Sequence, residues 1–386
     1  MSRHDFAVEE FEGRRARVRA AMTQAGLDWL VLFHPVSMHW LTGSDAKSYQ
    51  EFQCLLLSAT PGPLVVLTRE GERNEFEQDA LVDEVFTFGG GENEDPLPAF
   101  GKLANVHGLR NARVGMEVPA YYLHPHDYLR LKQFLGPALR AEPTTLVHDL
   151  KLVKSPAELD FIRTASHKAD AAMAVFTAAL LPGQSELAVA GRVIASLMAS
   201  GSGLAASPIN LVSGERSCFS HGAPTERVLR TGDFGSVEFG ATQRRYTATI
   251  GRQFSIGLPT PRMVELHDLV RRACDACIAE IRDGVAATRP HEAARQVITQ
   301  AGLEHGRVHT SGYGLAPGFP PSWGEPLHMI GGSRYVLRSG MVVSVEPPVF
   351  LGAERLGARI IDNVLVTPGG GEVLSRFSRD LIVVHA

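Results

Sequence analysis

Cysteine is scarce in this chain, with four residues among 386. So few thiols in a chain of this length exclude a disulfide-stapled framework. Cys274 and Cys277 form a CxxC pair, but no second pair completes a four-cysteine zinc site, and both lie in a helical apolar pattern. We therefore predict that this pair is packed in the core, as is Cys54 in its apolar run. Cys218, three residues before His221, remains open as a nucleophilic thiol.

Long apolar runs and a large charge excess are also missing. The longest apolar stretches, such as residues 171–181, are too short to span a bilayer. The first fifteen residues mix acids with bases and have no apolar segment behind them, unlike a signal peptide. A net charge of −4 provides no general attraction for nucleic acid or an anionic membrane. We expect a cytoplasmic protein that binds neither.

The composition that is present suits a large globular protein. Of the 386 residues, 44% are hydrophobic, and this length favours two domains over one. Helical and strand patterns alternate in the first part: helices over 11–25 and 121–135, and strands over 29–33, 55–57, 64–67 and 112–118. This alternation predicts a smaller α/β domain with a mixed sheet over residues 1–150.

The pattern changes after residue 150. Ser155, Pro156 and Glu158 form a strong helix start, with Ser as N-cap, Pro in the first turn and Glu in a capping box. Helical patterns then come in pairs, each followed by strand patterns, and the four helices are predicted at 156–181, 185–200, 260–283 and 289–302. This order predicts an α+β domain over residues 151–386, with paired helices and one curved antiparallel sheet.

Several short motifs in this second part resemble the creatinase and Xaa-Pro peptidase family, which includes prolidase and aminopeptidase P. The matching segments follow the family's order, and they lie at residues 154–159, 220–225, 232–233, 237–241, 340–347 and 358–360. The resemblance implies the two-domain pitta-bread fold. Residues 1–150 would be the creatinase-like N-terminal α/β domain, and residues 151–386 the pitta-bread catalytic domain.

The family's metallopeptidases hold two divalent ions with two Asp, one His and two Glu, a donor set that suits Mn, Co or Zn. Carried over one at a time, these positions are occupied here by Glu238, Thr249, Tyr313, Glu346 and Ile361. Thr and Tyr are poor ligands for hard divalent ions, and Ile has no lone pair to donate. Two carboxylates alone rarely hold two ions. We therefore expect no metal ligands to function here and no cofactor.

The residues that survive indicate acid–base chemistry. His221 matches the family histidine that handles a proton near the scissile bond, and a His beside carboxylates resembles creatinase, which splits a C–N bond without metal. We predict His221, Glu238 and Glu346 as catalytic residues, and expect them to line one cleft with Tyr313. Two plainer interpretations stay open: a surface-loop role for His221, and a hydrogen-bonding role in the sheet for Glu238.

Substrate-binding residues follow from the same resemblance. Residues 318–325 resemble the PPxWGE stretch of ectoine-hydrolase-like members, although Trp323 could equally be a core residue in a tight turn. Glu325 would suit a cationic substrate group. Arg359 stands where the family often binds a substrate carboxylate, a task that suits a guanidinium fork. The predicted pocket residues are Thr249, Tyr313, Trp323, Glu325 and Arg359.

The sequence thus predicts a homodimeric, metal-independent hydrolase of a C–N bond in a small nitrogen-containing compound. Two alternatives remain. One is a metallopeptidase of the Xaa-Pro dipeptidase or aminopeptidase type with a degenerate metal site. The other is an inactive family member that serves as a binding module, since one fold can support several functions.

Overall fold

The chain folds into two compact units, Met1–Lys151 and Leu152–Ala386. The structure is a computed structural model, and it describes residues 3–45, 48–91, 94–119 and 121–384. Within those ranges no helix combines the length and apolar character needed to cross a membrane.

The N-terminal unit alternates helices and strands. Its elements are α1 (Val8–Gln24), β1 (Trp29–Leu32), α2 (Pro35–Thr42), β2 (Cys54–Ser58), β3 (Val65–Arg69), α3 (Arg73–Asp79), β4 (Glu84–Phe88), α4 (Leu97–Val106), β5 (Val114–Met116), α5 (Pro125–Leu135), β6 (Leu139–Ala141) and α6 (Leu146–Lys151). The strands form one mixed sheet in the order β4-β3-β2-β1-β5-β6.

This sheet is buried on both faces. Alternate residues of a strand point to opposite faces, so β1 contributes to two cores. Leu30 and Leu32 pack in the core that includes Met22 of α1, whereas Val31 packs in the core that includes Phe100 of α4. The continuous apolar runs in the sequence are therefore strands covered by helices on each side.

The C-terminal unit carries helices in pairs around a long sheet. Its elements are α7 (Pro156–Ala179), α8 (Glu186–Ala199), β7 (Asn210–Ser213), β8 (Phe234–Gln243), β9 (Tyr246–Ile256), α9 (Pro261–Ala279), α10 (Thr288–Gln300), β10 (Tyr313–Phe319), β11 (Ser322–His328), β12 (Val342–Val345), β13 (Val349–Leu351), β14 (Leu356–Ala358), β15 (Asp362–Thr367), β16 (Gly370–Val373) and β17 (Ile382–Val384).

Across the described residues the main sheet has the order β16-β15-β12-β10-β9-β8-β7, with β11 added to β10 and β17 to β9. All of its pairings are antiparallel except the β17–β9 pair. One core packs α7 and α8 on β8 and β9, and a second packs α9 and α10 on β12 and β15. This arrangement confirms the predicted α+β domain with paired helices and an antiparallel sheet.

Local capping explains why the helix starts were predictable. The Ser155 hydroxyl accepts from the Glu158 amide at 3.2 Å, and the Glu158 carboxylate accepts from the Ser155 amide at 2.8 Å. This capping box starts α7 at Pro156. The first-domain helix predicted to begin at 121 instead begins at Pro125, where the His124 imidazole caps the His126 amide at 3.2 Å.

Candidate active site

A polar pocket of about 290 Å³ opens in the C-terminal unit. Its walls come from strands β7, β8, β10 and β11, the segment before β7, and the connection between β7 and β8. The residues that line it are Ser207, Asn210, His221, Glu238, Tyr313, Pro321, Ser322, Trp323, Gly324, Glu325 and His328. Residues far apart in the sequence, among them His221, Glu238 and Tyr313, therefore meet at one cavity.

His221 lies on the connection between β7 and β8, where its side chain is exposed to solvent. The next residue fixes its position, because the Leu211 amide donates to the Gly222 carbonyl at 2.9 Å. A Cβ atom on Gly222 would lie 2.3 Å from Cγ1 of Val212. Only glycine allows the connection to approach β7 this closely, so the His-Gly pair has a steric cause.

A buried carboxylate holds the same connection. Glu186, at the start of α8, accepts from the Ser213 hydroxyl at 2.6 Å and from the Thr225 amide and hydroxyl at 3.0 and 2.8 Å. It also pairs with Arg216, which donates to the Ala223 carbonyl at 2.7 Å. The segment that presents the histidine is thus tied to the helix behind it at both ends.

Glu238 on β8 is an ion-pair partner. Its carboxylate accepts from the Asn210 amide at 3.0 Å and forms a buried salt bridge with the Arg359 guanidinium. The Arg359 backbone amide donates to the Gln253 side chain at 3.1 Å, and its Nη1 finds no hydrogen-bond partner among the described residues. Arg359 therefore balances the charge of Glu238 and still has a donor to offer.

Glu346 follows β12 and is fully buried beside this pair. Neither of its carboxylate oxygens has a hydrogen-bond partner among the described residues, and the His309 imidazole lies nearby, with Nδ1 at 3.7 Å from Oε1. Burial, together with the negative charge of Glu238, raises the pKa of Glu346 to about 8, although Arg359 opposes the shift. At neutral pH this carboxyl group carries its proton.

Two histidines stand between the buried acid and the solvent. The rings of His221 and His309 lie 5.4 Å apart, centroid to centroid. Partial burial and then the positive charge of Arg359 lower the pKa of each imidazole, while Glu238 opposes the shift. Both rings are therefore neutral at pH 7, and each can accept a proton.

Tyr313 and Trp323 form a hydrogen-bonded pair on one wall. The indole Nε1 of Trp323 donates to the Tyr313 hydroxyl at 3.0 Å. Burial raises the pKa of the Tyr313 phenol well above its usual value, and Glu346 and Glu238 add to the shift. The phenol remains protonated and can donate a hydrogen bond into the pocket.

The predicted site residues divide into two groups. His221, Glu238, Tyr313, Trp323 and Glu325 line the pocket. The others are buried side chains outside its lining, and they are Thr249, Glu346 and Arg359. Glu346 was expected to line the cleft with residues of the first group, but its side chain is buried behind the lining residues.

Two of the predicted substrate-binding residues have polar partners within the chain. Glu325 is buried against Lys154, with Nζ at 2.6 Å from Oε2, so its charge is already balanced by the chain. Thr249 accepts from the Asn363 amide group at 2.8 Å and donates its backbone amide to the same side chain at 2.6 Å. Glu325 thus ties β11 to the segment before α7, and Thr249 ties β9 to β15.

Sequence reasoning missed His309, Asn210 and His328. His309 precedes the Gly-rich turn at Gly312, a spacing that could have marked it, whereas Asn210 begins a strand without any motif.

The structure also places the cysteines of the CxxC pair on the buried face of α9, where burial raises the pKa of Cys274 and Cys277.

Comparison with known proteins agrees with this architecture. Residues 160–368 match the metallopeptidase family M24, and residues 14–149 match the creatinase/prolidase N-terminal domain. The chain therefore belongs to the M24 family, with the pitta-bread fold, among hydrolases that act on C–N bonds.

Individual relatives span the whole chain. It is 31% identical to a protein named "Probable dipeptidase PepE" from Mycobacterium tuberculosis (strain H37Rv), over 100% of this chain and 99% of the relative. It is 25% identical to the ectoine hydrolase of Halomonas elongata, over 98% of each chain. The crystal structure of dipeptidase PepE from Mycobacterium ulcerans superimposes with a TM-score of 0.86 at 29% identity, covering 99% of this chain and 100% of that chain.

The family's two-metal centre does not fit the residues present. The Thr249 hydroxyl is hydrogen-bonded to the Asn363 side chain. The Ile361 side chain packs against Gly251, where a Cβ atom would lie 2.6 Å from Cγ1 of Ile361. The Tyr313 phenol keeps its proton, and Glu238 is neutralised by Arg359. Within the described ranges, no group of three or more His, Cys, Asp or Glu side chains could hold a metal ion.

Proposed function

We propose that this protein is a metal-independent hydrolase that cleaves a C–N bond in a small nitrogen-containing compound. The salt bridge between Glu238 and Arg359 supports this most directly. Through this salt bridge the Arg359 guanidinium neutralises the Glu238 carboxylate, which a metal ion at this site would need as a ligand. The absence of ligand chemistry at Thr249, Tyr313 and Ile361 points the same way.

The proposed mechanism uses two groups whose pKa values are shifted in opposite directions. His221 has a lowered pKa and is the base that takes a proton from the attacking water. Glu346, with its pKa raised to about 8, is the reserve of the proton that the leaving nitrogen must receive. His309 lies between the buried acid and the pocket, with Nδ1 3.7 Å from Glu346. Because Nδ1 donates to the Thr310 carbonyl at 3.2 Å, transfer from Glu346 through His309 requires the tautomer that carries its hydrogen on Nε2.

The remaining side chains position the reacting group. The protonated Tyr313 hydroxyl, oriented by the Trp323 indole, donates to the oxygen that develops negative charge when water adds. Glu238 is fixed by Asn210 and Arg359 and stabilises the imidazolium that forms on His221. Hydrolysis is then balanced, because the hydroxyl joins carbon and the second proton of water, or one exchanged for it, joins nitrogen.

A small dipeptide is a second candidate substrate, because the relatives that span the full chain include one named a probable dipeptidase as well as the ectoine hydrolase. A dipeptide and a small cyclic compound such as ectoine would each present a C–N bond on a small molecule. The volume of the polar pocket, about 290 Å³, suits compounds of this size better than long peptides.

Two measurements test the proposal. Elemental analysis of the purified protein should find no stoichiometric Mn, Co or Zn, and turnover of a panel of amidines, guanidines and Xaa-Pro dipeptides should survive a chelator. Two metal ions per chain, or activity that a chelator abolishes and added metal restores, would identify a metallopeptidase. Binding of panel compounds without turnover would identify a binding module. A homodimer in the cytoplasm remains a prediction, which sedimentation and fractionation can test.

A further inference from the structure

A second cavity, of about 470 Å³, lies in the C-terminal unit beside the polar pocket. It is bounded by α8, the segment 203–209 and the turn before β11. Its walls include Ile194, Leu197, Leu204 and Phe239, and its described lining residues contain no charged side chain. A cavity of this size and character suits an aliphatic or aromatic group.

The two cavities share walls. Ser207 and Pro321 line both of them. Trp323 stands at the junction, because its indole N–H bonds to Tyr313 in the polar pocket while its ring packs on Gly240 of the apolar cavity. A Cβ atom on Gly240 would lie 3.0 Å from Cζ3 of Trp323. The glycine therefore lets the indole ring pack closely against β8 between the two cavities.

We propose that the apolar cavity is a subsite for an apolar substituent of the substrate whose C–N group reacts in the polar pocket. The inference rests on the proposed function, because it takes the polar pocket as the reaction site. The cavity offers neither a charge nor a set of hydrogen-bond donors, so burial of apolar surface is the interaction it can provide. The preferred substrates are therefore small compounds that carry an uncharged aliphatic or aromatic group a few bonds from the reacting nitrogen or carbon.

Apolar side chains at the rim of the cavity are exposed to solvent, which supports a bound apolar group there. Leu204, at the rim, is 69% exposed, and Ile194 on α8 is 37% exposed. Large apolar side chains grouped around an open cavity mark a binding site more often than isolated ones do. Because the two cavities share walls, a ligand bound in the polar pocket could extend into the apolar cavity and cover these side chains.

The test uses binding, so that it does not depend on turnover. The probes are N-methyl-, N-butyl- and N-hexylacetamide, which present one amide to the polar pocket and an alkyl chain of growing length. Dissociation constants are measured by ligand-observed NMR on the full-length protein. We expect the constant to fall by about two- to fourfold per added methylene until the cavity is filled.

Variants decide whether this cavity is responsible. Ala205→Leu fills the cavity and should abolish the dependence on chain length while leaving N-methylacetamide binding unchanged. Ile194→Ala, which trims the wall without adding bulk, should weaken the dependence. Ala195→Leu, the same change as the first on the exposed face of α8, is the matched control and should behave as wild type.

Three outcomes would overturn the subsite: no chain-length dependence in the wild type, the same dependence in Ala205→Leu, or equal losses in the control. A shift from dimer to monomer in Ala205→Leu, without chain-length dependence in the wild type, would instead make this face an interface between copies. If the alkyl dependence is present but no compound is turned over, the proposed hydrolase fails and the subsite stands.

Discussion

Two glutamates are buried to the same degree in the two units of this chain, but only one of them is satisfied. Glu117, which follows β5, is 1% exposed. It accepts from the amides of Phe33 and His34 at 3.0 and 2.8 Å and from the Ser37 hydroxyl at 2.8 Å. Burial raises its pKa, while these hydrogen bonds oppose the shift.

Glu346 is also 1% exposed, yet neither of its oxygens has a hydrogen-bond partner in the described part of the chain. Burying a carboxyl group without hydrogen bonds is costly, and proteins rarely keep such a group for stability alone. The comparison teaches that burial by itself does not distinguish a structural acid from a reactive one. The hydrogen-bond inventory around it does.

The largest difference between the two glutamates should appear in catalysis. Glu346→Gln should lower kcat by about two to four orders of magnitude, because an amide has no proton to supply. Glu117→Gln can keep an acceptor toward the two backbone amides and should leave kcat unchanged. Steady-state kinetics on a substrate from the panel measures both. Equal losses in the two variants would mean that Glu346 acts only through the fold.

His221 sharpens the same comparison, since it is the exposed end of the proposed proton route. His221→Ala should also lower kcat by about two to four orders of magnitude. The free energy of unfolding should change by less than about 1 kcal/mol, because an exposed side chain packs little. His305→Ala, an exposed histidine outside the pocket, is the control.

Combining His221→Ala with Glu346→Gln tests whether the two residues form one unit. The double variant should be little slower than either single variant if they do. Multiplied losses would show that they act independently, and the proposed proton route would be wrong.

Replacement by leucine should separate the two glutamates in stability. Glu117→Leu leaves two buried amides and a hydroxyl without an acceptor and should cost about 3 kcal/mol. Glu346→Leu removes an unsatisfied polar group and should leave the free energy of unfolding unchanged or raise it. Urea unfolding, with hydrogen exchange to assign each loss to its own unit, measures this. A greater loss at position 346 would contradict the comparison.

The two glutamates should also differ in how stability depends on pH. Because folding raises the pKa of Glu346 from its usual 4.5 to about 8, the folded protein holds a proton that the unfolded chain has released. Its contribution to stability is therefore fully present below about pH 4.5 and is lost as the pH rises to about 8. Relative to Glu346→Gln, the wild type should lose about 4 kcal/mol of unfolding free energy between pH 5 and pH 9. Parallel thermal-unfolding curves of the two proteins over this range would refute the raised pKa.

Much of the fold could be predicted because its signals are local. The start of α7 at Pro156 is encoded in four consecutive residues that cap the helix, and α9 starts at Pro261 after the N-cap Thr260 in the same way. The motif around His221 and the carboxylate position at Glu238 pointed to two of the pocket's walls. These inferences need only short segments of sequence or a family resemblance.

The surroundings of the site could not be predicted, because its partners are distant along the chain. Lys154 and Glu325 form an ion pair across 171 positions, and Thr249 and Asn363 bond across 114. Each residue reads as a free polar group until its partner is known. The family resemblance alone placed Glu325 and Thr249 at the substrate, and it carried no information about these partners.

The sequence by itself determined where the capped helices of the second unit begin, which runs form buried strands, and which family ligands are replaced by Thr, Tyr and Ile. Only the tertiary structure decided which charges are neutralised, which carboxyl group is left without partners, and that His309 lies between Glu346 and His221. The physical reason is that capping and periodicity act within a few residues, whereas the pKa and hydrogen bonding of a buried group depend on every strand and loop packed around it.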